Sequence, residues 1–117
     1  MKKILIVEDE MEMRKWLAEA LKREGYEVIQ AEDGMMGVEK AKKDPPDLII
    51  SDVYMDNMNG FMMRELLQED PQTEGTPYIM ITGAAESVGA WRSETDVEYL
   101  LKPFSVAQLV SAVKKKI

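Results

Sequence analysis

Short apolar runs alternate with stretches of mixed polarity along the whole chain. Five runs rich in apolar and β-branched residues are typical of the strands of a largely buried sheet. Between them, apolar residues recur at three- and four-residue spacing, as on one face of a helix. The pattern predicts strands over residues 3–7, 26–31, 47–51, 77–81 and 97–101. It predicts helices over residues 11–24, 35–42 and 59–68, a poorly defined one over 84–93, and a last one after Ser105.

Two helix ends carry specific signals. Gly25 follows the first helix, and a glycine in the left-handed conformation ends many helices. Ser105 and Gln108, just after Pro103, form the pattern of a capping box, in which each side chain bonds the other residue's backbone N–H. The methionines at positions 55, 58, 62 and 63 are predicted to pack in the core and its loops.

Five alternating β-α units on a chain of 117 residues favour an α/β fold in which helices cover both faces of one parallel sheet. Right-handed crossovers in so small a unit give a doubly wound, flavodoxin-like (βα)5 sandwich of three layers with strand order 2-1-3-4-5. The length suits a single domain, residues 1–117, with a core that needs no disulfides. Ligands of such sheets bind where the strand order reverses, here between strands 1 and 3.

Composition excludes several kinds of chemistry. The chain has neither Cys nor His, so disulfides, thiolate nucleophiles and imidazole bases are ruled out. Its net charge of −7 opposes binding to phosphate backbones, and we expect no direct nucleic acid binding. The first apolar run is four residues long before acidic residues begin, too short for a secretory signal. We therefore expect a cytoplasmic protein without membrane contact.

Reactive residues follow four of the predicted strands. Glu8 and Asp9 follow the first strand, and Asp52, Thr82 and Lys102 follow the third, fourth and fifth. Because the carboxyl ends of parallel strands lie along one edge of the sheet, these residues should meet in one cleft. Carboxylates that repel each other are stabilised by a hard cation, and oxygen-only ligands favour Mg²⁺. In such a site Asp52 would attack a phosphorus atom, while Lys102 and Thr82 would bind phosphoryl oxygens.

Four short motifs carry a resemblance to a known family. The sequences V-E-D-E, D-V-Y-M-D-N-M-N-G, I-T-G and L-L-K-P-F resemble those of the receiver domain of two-component response regulators. The similarity spans the whole chain in order. It implies that Asp52 is the phosphoacceptor and that Thr82 and Lys102 hold the phosphoryl group. It also implies that Mg²⁺ is bound by Asp9, Asp52 and the Tyr54 backbone carbonyl, with Glu8 acting on the metal through water. Tyr99 would be the aromatic residue that turns inward on activation.

The resemblance implies a two-state switch. A sensor histidine kinase or a phosphotransfer protein would supply the phosphoryl group, and the surface formed by residues 84–93, the last strand and the last helix would be remodelled. That surface would control a downstream effector domain or protein, with the chain as a monomer or a phosphorylation-dependent dimer. The chain would not be an enzyme in the usual sense, because it would catalyse only its own phosphorylation and dephosphorylation.

Two places depart from the family pattern. Asp56 stands where the family usually has Pro after D-x-x-M, which adds a carboxylate near the site and removes a rigid loop residue. Thr95 and Asp96 stand where Gly-Ala is common before the last strand. Without that glycine, we expect the helix over residues 84–93 to be short or mobile.

Other classes of protein share part of the pattern. A phosphohydrolase of the haloacid-dehalogenase type also uses a strand-end Asp with Mg²⁺, but it needs a second Asp where this chain has Tyr54. A flavodoxin-like flavin binder needs a Ser-, Thr- and Gly-rich phosphate loop, where this chain has Glu8, Asp9 and Glu10. A degenerate receiver used only for docking is a third alternative, against which the intact acidic pair, Thr82 and Lys102 argue.

Overall fold

The computed structural model describes residues 1–55, 58–83 and 97–117. Within these ranges the strands are β1 (Lys3–Val7), β2 (Glu27–Ala31), β3 (Leu48–Asp52), β4 (Tyr78–Thr82) and β5 (Val97–Leu101). The helices are α1 (Met11–Arg23), α2 (Gly34–Lys43), α3 (Gly60–Gln68) and α4 (Val106–Lys116). The predicted helix over residues 84–93 lies outside the described residues, as do Asp56, Thr95 and Asp96. None of the described helices has the length and apolar surface needed to span a bilayer.

The strands form one parallel sheet with the order β2-β1-β3-β4-β5. Every residue of β3 and β4 is buried, whereas the edge strands β2 and β5 are mostly half-buried. The central strands have helices on both faces, which is why they appear in the sequence as continuous apolar runs. The predicted α/β fold with strand order 2-1-3-4-5 is confirmed.

Alternate residues of each strand pack on opposite faces of the sheet. On one face, side chains of β1, β3 and β4 pack with α1 and α4. This cluster includes Ile4, Ile6, Leu48, Ile50, Ile79, Ile81, Leu17, Leu21, Leu109 and Val113. On the other face, the neighbouring strand residues pack with α2 and α3, in a cluster that includes Leu5, Val7, Ile49, Tyr78, Met80, Ala41, Met63 and Leu67. We call these the α1/α4 face and the α2/α3 face.

Two central strands extend one residue further than the apolar runs predicted. β3 ends at Asp52 and β4 ends at Thr82. The ladder continues past Asp52 because Val53 N–H donates to Ile81 O at 2.9 Å. It continues past Thr82 because Lys102 N–H donates to Thr82 O at 2.9 Å. The sheet therefore holds the backbone of both reactive residues.

The helix-end signals are confirmed. Gly25 has a φ of +92°, the left-handed conformation that follows the end of α1. Ser105 and Gln108 form the capping box of α4: Gln108 N–H donates to Ser105 Oγ at 3.1 Å, and Ser105 N–H donates to Gln108 Oε1 at 2.8 Å. The capping box thus satisfies two backbone N–H groups at the start of α4.

The methionines near Asp52 divide between core and surface. Met63 is fully buried, and Met55 and Met58 pack against the same cluster on the α2/α3 face. Met62 is 51 % exposed, so the prediction that it packs in the core is wrong. The buried residues of α3 follow helical spacing through Gly60, Met63 and Leu67, and Met62 lies about 100° around the helix from Met63.

Candidate functional site

The strand register brings an acidic residue of the β1 end next to Asp52. Val7 pairs with Ser51 in the parallel ladder, so the next step of that ladder places Glu8 beside Asp52. Both side chains are on the α1/α4 face by alternation. Glu8 is 1 % exposed and Asp52 6 % exposed. Two buried carboxyl groups therefore share a small volume at the carboxyl edge of the sheet.

Asp52 is held by hydrogen bonds at each of its oxygens. Oδ2 accepts from Lys102 Nζ at 2.7 Å, and Oδ1 accepts from the backbone N–H of Tyr54 at 3.2 Å. Its backbone carbonyl accepts from Ser51 Oγ at 2.9 Å. The side chain of Asp52 is thus fixed in orientation before any ligand arrives.

The start of α3 packs directly on the loop after Asp52. Gly60 N–H donates to Val53 O at 2.8 Å. A Cβ at Gly60 would lie 2.7 Å from Asp52 O and 3.2 Å from both Met80 Sδ and Ser51 Oγ. A glycine is required here because α3 approaches the backbone of the site too closely for a side chain.

Lys102 provides the positive charge of the site. Its backbone is joined to Thr82, and its side chain, 30 % exposed, reaches across to Asp52. Burial would lower the pKa of the Lys102 ammonium, but its hydrogen bond and its attraction to Asp52, with a contribution from Glu8, outweigh burial and raise that pKa. Lys102 is therefore charged at neutral pH and offsets the negative charge of Asp52.

Glu8 is the most perturbed acid of the site. Its Oε1 accepts from Glu10 N–H at 3.1 Å, whereas the buried Oε2 has no hydrogen-bond partner among residues 1–55, 58–83 and 97–117. Burial, with a further contribution from the negative charge of Asp52, raises the pKa of Glu8 to about 8. A proton or a cation is needed at this carboxyl at neutral pH.

The acidic residues supply a donor set that suits a hard cation. Asp9, next to Glu8, has an exposed side chain. In the part of the chain that the structure describes, no three acidic side chains converge closely enough to form a metal site by themselves. The donors on offer are oxygens, and the buried Glu8 Oε2 needs a positive partner. The residues present therefore fit an ion such as Mg²⁺, which keeps several waters and takes few protein ligands.

Thr82 and Tyr99 lie on the opposite side of the sheet from Asp52. Tyr99 is half-buried, packs with the α2/α3 cluster and pairs with Met80 of β4. Thr82 is fully buried at the end of β4, two residues after Met80 and so on the same face by alternation. Tyr54, whose N–H binds Asp52, has a side chain that is 59 % exposed. The side chains of Glu8, Asp52 and Lys102 therefore lie on one face of the sheet, and those of Thr82 and Tyr99 lie on the other.

Three residues of the site were not predicted from the sequence. Arg14 binds the backbone carbonyl of Glu8 at 2.8 Å, Ser51 binds that of Asp52, and a Cβ at Gly60 would collide with the same Asp52 carbonyl. A basic residue in the second turn of a helix and a glycine at a helix start are weak signals, because both are common in helices. Their roles depend on contacts between elements.

Two solved response regulator structures are similar to this fold over the whole chain. The solved structure of the chemotaxis response regulator CheY4 of Vibrio cholerae is similar with a TM-score of 0.92 and 32 % identity, covering 100 % of this chain and 99 % of that one. The structure of the response regulator TrrA from Thermotoga maritima in complex with Mg²⁺-BeF has a TM-score of 0.89 and 31 % identity, with 100 % of both chains covered. The class is thus a doubly wound domain like those of response regulators.

Sequence similarity defines the family. The sequence profile of the response regulator receiver domain matches residues 4–114. The response regulator ArlR of Staphylococcus saprophyticus is 34 % identical over 117 residues, which cover 97 % of this chain and 51 % of ArlR. The chain belongs to the response regulator receiver domain family and is the receiver domain of a two-component response regulator. It spans between 7 % and 55 % of the length of several curated relatives that it matches.

Proposed function

We propose that this chain is the phosphoacceptor of a two-component system, in which Asp52 takes a phosphoryl group from a phosphohistidine. The donor is a sensor histidine kinase or a phosphotransfer protein. The observation that supports this most strongly is the buried Asp52 carboxylate, bonded to Lys102 Nζ at 2.7 Å at the carboxyl edge of the sheet. Family membership supports the same role, since the carboxyl edge is where ligands of such sheets bind.

The transfer is a substitution at phosphorus. A carboxylate oxygen of Asp52 forms the new O–P bond while the P–N bond to the donor imidazole breaks. The imidazole keeps the electron pair of that bond and takes up a proton. The products are an aspartyl phosphate on this chain and a free histidine on the donor. Later hydrolysis of the aspartyl phosphate resets the chain, and we propose no substrate beyond its own phosphorylation and dephosphorylation.

Each polar contact of Asp52 has a place in this reaction. The Tyr54 N–H at Oδ1 orients the carboxylate, and Lys102 at Oδ2 neutralises its charge until the phosphoryl group arrives. Lys102 then binds a phosphoryl oxygen as a point cation, because its pKa keeps it charged. The hydroxyl of Thr82, which lies on the other face of the sheet from Asp52 in this structure, donates to another phosphoryl oxygen once Thr82 has moved toward the site.

A divalent cation completes the site. Asp9, Asp52 and the backbone carbonyl of Tyr54 would bind Mg²⁺, and Glu8 would act on it through water. The unpartnered Glu8 Oε2 supports this assignment, as does the complex of the similar regulator TrrA with Mg²⁺-BeF. When bound, the ion offsets the negative charge of the carboxylates and of the phosphoryl oxygens.

The phosphorylated state would change the opposite face of the sheet. Thr82 moves toward the phosphoryl group, and Tyr99, half-buried behind it on the α2/α3 face, turns inward. The surface that includes β5 and α4 then controls a downstream effector domain or protein in the cytoplasm. Because relatives such as ArlR are about twice as long as this chain, an effector on the same polypeptide is part of the proposal. The active form is a monomer or a phosphorylation-dependent dimer.

An apolar cavity beside Lys102 offers a landing place for the phosphodonor. Its volume is about 450 Å³, and its wall includes Met13 and Trp16 of α1 and Pro103 and Phe104 after β5. Trp16 is 37 % exposed and its ring centroid lies 5.8 Å from that of Phe104. Because the cavity borders Lys102, which bonds Asp52, we propose that apolar side chains of the donor protein fill it.

Intact-mass spectrometry tests the function. The chain is incubated with acetyl phosphate, with Mg²⁺ or with EDTA, and compared with Asp52→Asn and Asp47→Asn. Asp47 is the matched control, since it is an exposed aspartate at the opposite end of β3 whose side chain accepts one described hydrogen bond, from the backbone N–H of Lys3. We expect a Mg²⁺-dependent gain of one phosphoryl group in wild type and Asp47→Asn, and none in Asp52→Asn.

Two results would contradict the proposal. A phosphoryl group that still appears in Asp52→Asn would place the acceptor elsewhere. No gain in wild type, in protein that binds Mg²⁺, would indicate a receiver used for docking alone. The Asp47→Asn variant separates loss of the acceptor from general damage to β3.

A further inference from the structure

The turn that carries Glu8 and Asp9 is joined to the start of α1 by the hydrogen bond from Glu10 N–H to Glu8 Oε1. Glu10 occupies the cap position of α1, and its side chain makes no capping hydrogen bond within the described residues. A capping side chain normally accepts a hydrogen bond from a backbone N–H in the first turn of its own helix. The start of α1 lacks that bond, and a contact from further along the helix adds to the Glu10 bond in holding the acidic turn.

Arg14 makes that contact. It lies in the second turn of α1, is half-buried, and donates from Nη1 to the backbone carbonyl of Glu8 at 2.8 Å. Glu8 makes two other bonds: its N–H donates to Ala31 O at 3.1 Å, and its Oε1 accepts from Glu10 N–H at the cap of α1. Only Arg14 joins the body of α1 to the end of β1 among these contacts. Removing it leaves the Glu8 backbone carbonyl without its bond to α1.

We propose that Arg14 is a positioning residue for the cation site of the receiver. This inference rests on the proposed function, because it concerns how the acidic turn is prepared for Mg²⁺. A charged donor makes a stronger bond to a carbonyl than a neutral one, and it fixes the peptide that precedes Asp9. Residues behind the ligands of a metal hold those ligands in place, and their loss typically lowers metal affinity by about 10–100-fold.

The neighbouring residue provides a matched control. Lys15 carries the same charge, lies one position further along α1 and is exposed to solvent. Lys15→Met and Arg14→Met therefore change the net charge equally, but only the second removes the bond to Glu8. Any difference between the two variants reports positioning rather than the overall field of the protein.

The test is calorimetric titration of unphosphorylated wild type, Arg14→Met and Lys15→Met with MgCl₂. We expect about tenfold weaker Mg²⁺ binding for Arg14→Met and wild-type binding, within twofold, for Lys15→Met. Amide hydrogen exchange of the metal-free proteins is the second readout. The Glu10 amide, which bonds Glu8 Oε1, should exchange faster in Arg14→Met alone.

Each outcome decides the inference. Wild-type Mg²⁺ affinity in Arg14→Met overturns it, and equal weakening in both variants replaces it with a general effect of charge. If Arg14→Met does not fold, Arg14→Gln, whose side chain is too short to span the same distance, decides in its place by the same criteria. Phosphorylation of wild type by acetyl phosphate is measured separately. Its failure would overturn the proposed function, while the Mg²⁺ titration would still decide the role of Arg14.

Discussion

The close approach of α3 to the Asp52 backbone can be tested with one methyl group. Gly60 is the first residue of α3, and a Cβ there would lie 2.7 Å from Asp52 O. Ordinary Cβ contacts lie at 3.4–4 Å, so Gly60→Ala must move the helix and the carbonyl apart by roughly 0.7 Å. The carbonyl belongs to a strand held on both sides, and it cannot rotate away as a side chain would.

Two effects of opposite sign set the magnitude. Overpacking a tight site costs about 1–3 kcal/mol, and the upper value applies where the obstacle is backbone. Replacing a helical glycine by alanine stabilises by up to about 1 kcal/mol, because the unfolded chain loses freedom and the helix is favoured. The clash dominates, and we expect Gly60→Ala to lower the free energy of unfolding by about 2 kcal/mol.

Urea unfolding followed by circular dichroism measures this difference. Gly75→Ala is the control, because no described atom lies within 4 Å of a Cβ built at Gly75, and we expect it to be neutral or slightly stabilising. The Gly60 amide, which bonds Val53 O at 2.8 Å, should also exchange faster in Gly60→Ala. A Gly60→Ala variant as stable as wild type, with unchanged exchange, would refute the close-packing argument.

Three further predictions concern the site and its rim. Lys102→Met should slow phosphorylation of Asp52 by acetyl phosphate about 100-fold, because a cation at the developing charge is lost. It should also tighten Mg²⁺ binding, because a competing cation is gone. Unchanged phosphorylation kinetics by mass spectrometry would contradict the role of Lys102. The pKa of Glu8 is raised to about 8, mainly by burial, so the folded protein keeps a proton that the unfolded chain has lost. In EDTA, the free energy of unfolding should therefore fall as pH rises from 4.5 to about 8. Glu8→Gln should remove this slope in urea titrations, while Glu19→Gln, an exposed control, should keep it. Trp16→Ala should slow phosphorylation by a histidine kinase at least tenfold but leave the rate with acetyl phosphate unchanged; equal loss with both donors would argue against docking at the cavity.

The ends of β3 and β4 show how much of the site the sequence pattern predicts. The apolar runs predicted β3 and β4 to within one residue, and the parallel order then placed Asp52 and Lys102 at the same edge. Their ion pair at 2.7 Å is the contact that this reasoning anticipates. What the runs do not contain is the extra ladder bond at each end, which extends both strands to the reactive residue. That bond depends on the neighbouring strand, not on the residue's own type.

Glu8 and Asp9 show what the sequence pattern does not predict. Glu8 and Asp9 are adjacent in the sequence and chemically alike, yet Glu8 is buried and Asp9 is exposed. A strand alternates its faces, so the register with β3 determines that Glu8, and not Asp9, is buried beside Asp52. The same limit applies to Met62 and Met63. They lie on different sides of α3, and the packing of this helix on the sheet buries Met63 only.

Periodicity, turn residues and the order of apolar runs are local properties, and from them the chain alone sets its elements, its strand order and the edge where reactive residues gather. Distances between elements are a different matter, because they arise when side chains pack to crystal-like density. That packing brings Arg14 to the Glu8 carbonyl and α3 onto the Asp52 carbonyl. It also buries Glu8 deeply enough to raise its pKa. The residues at the strand ends in the sequence therefore predict the chemistry of Asp52, whereas the exact position of its side chain depends on the packing of the helices against the sheet.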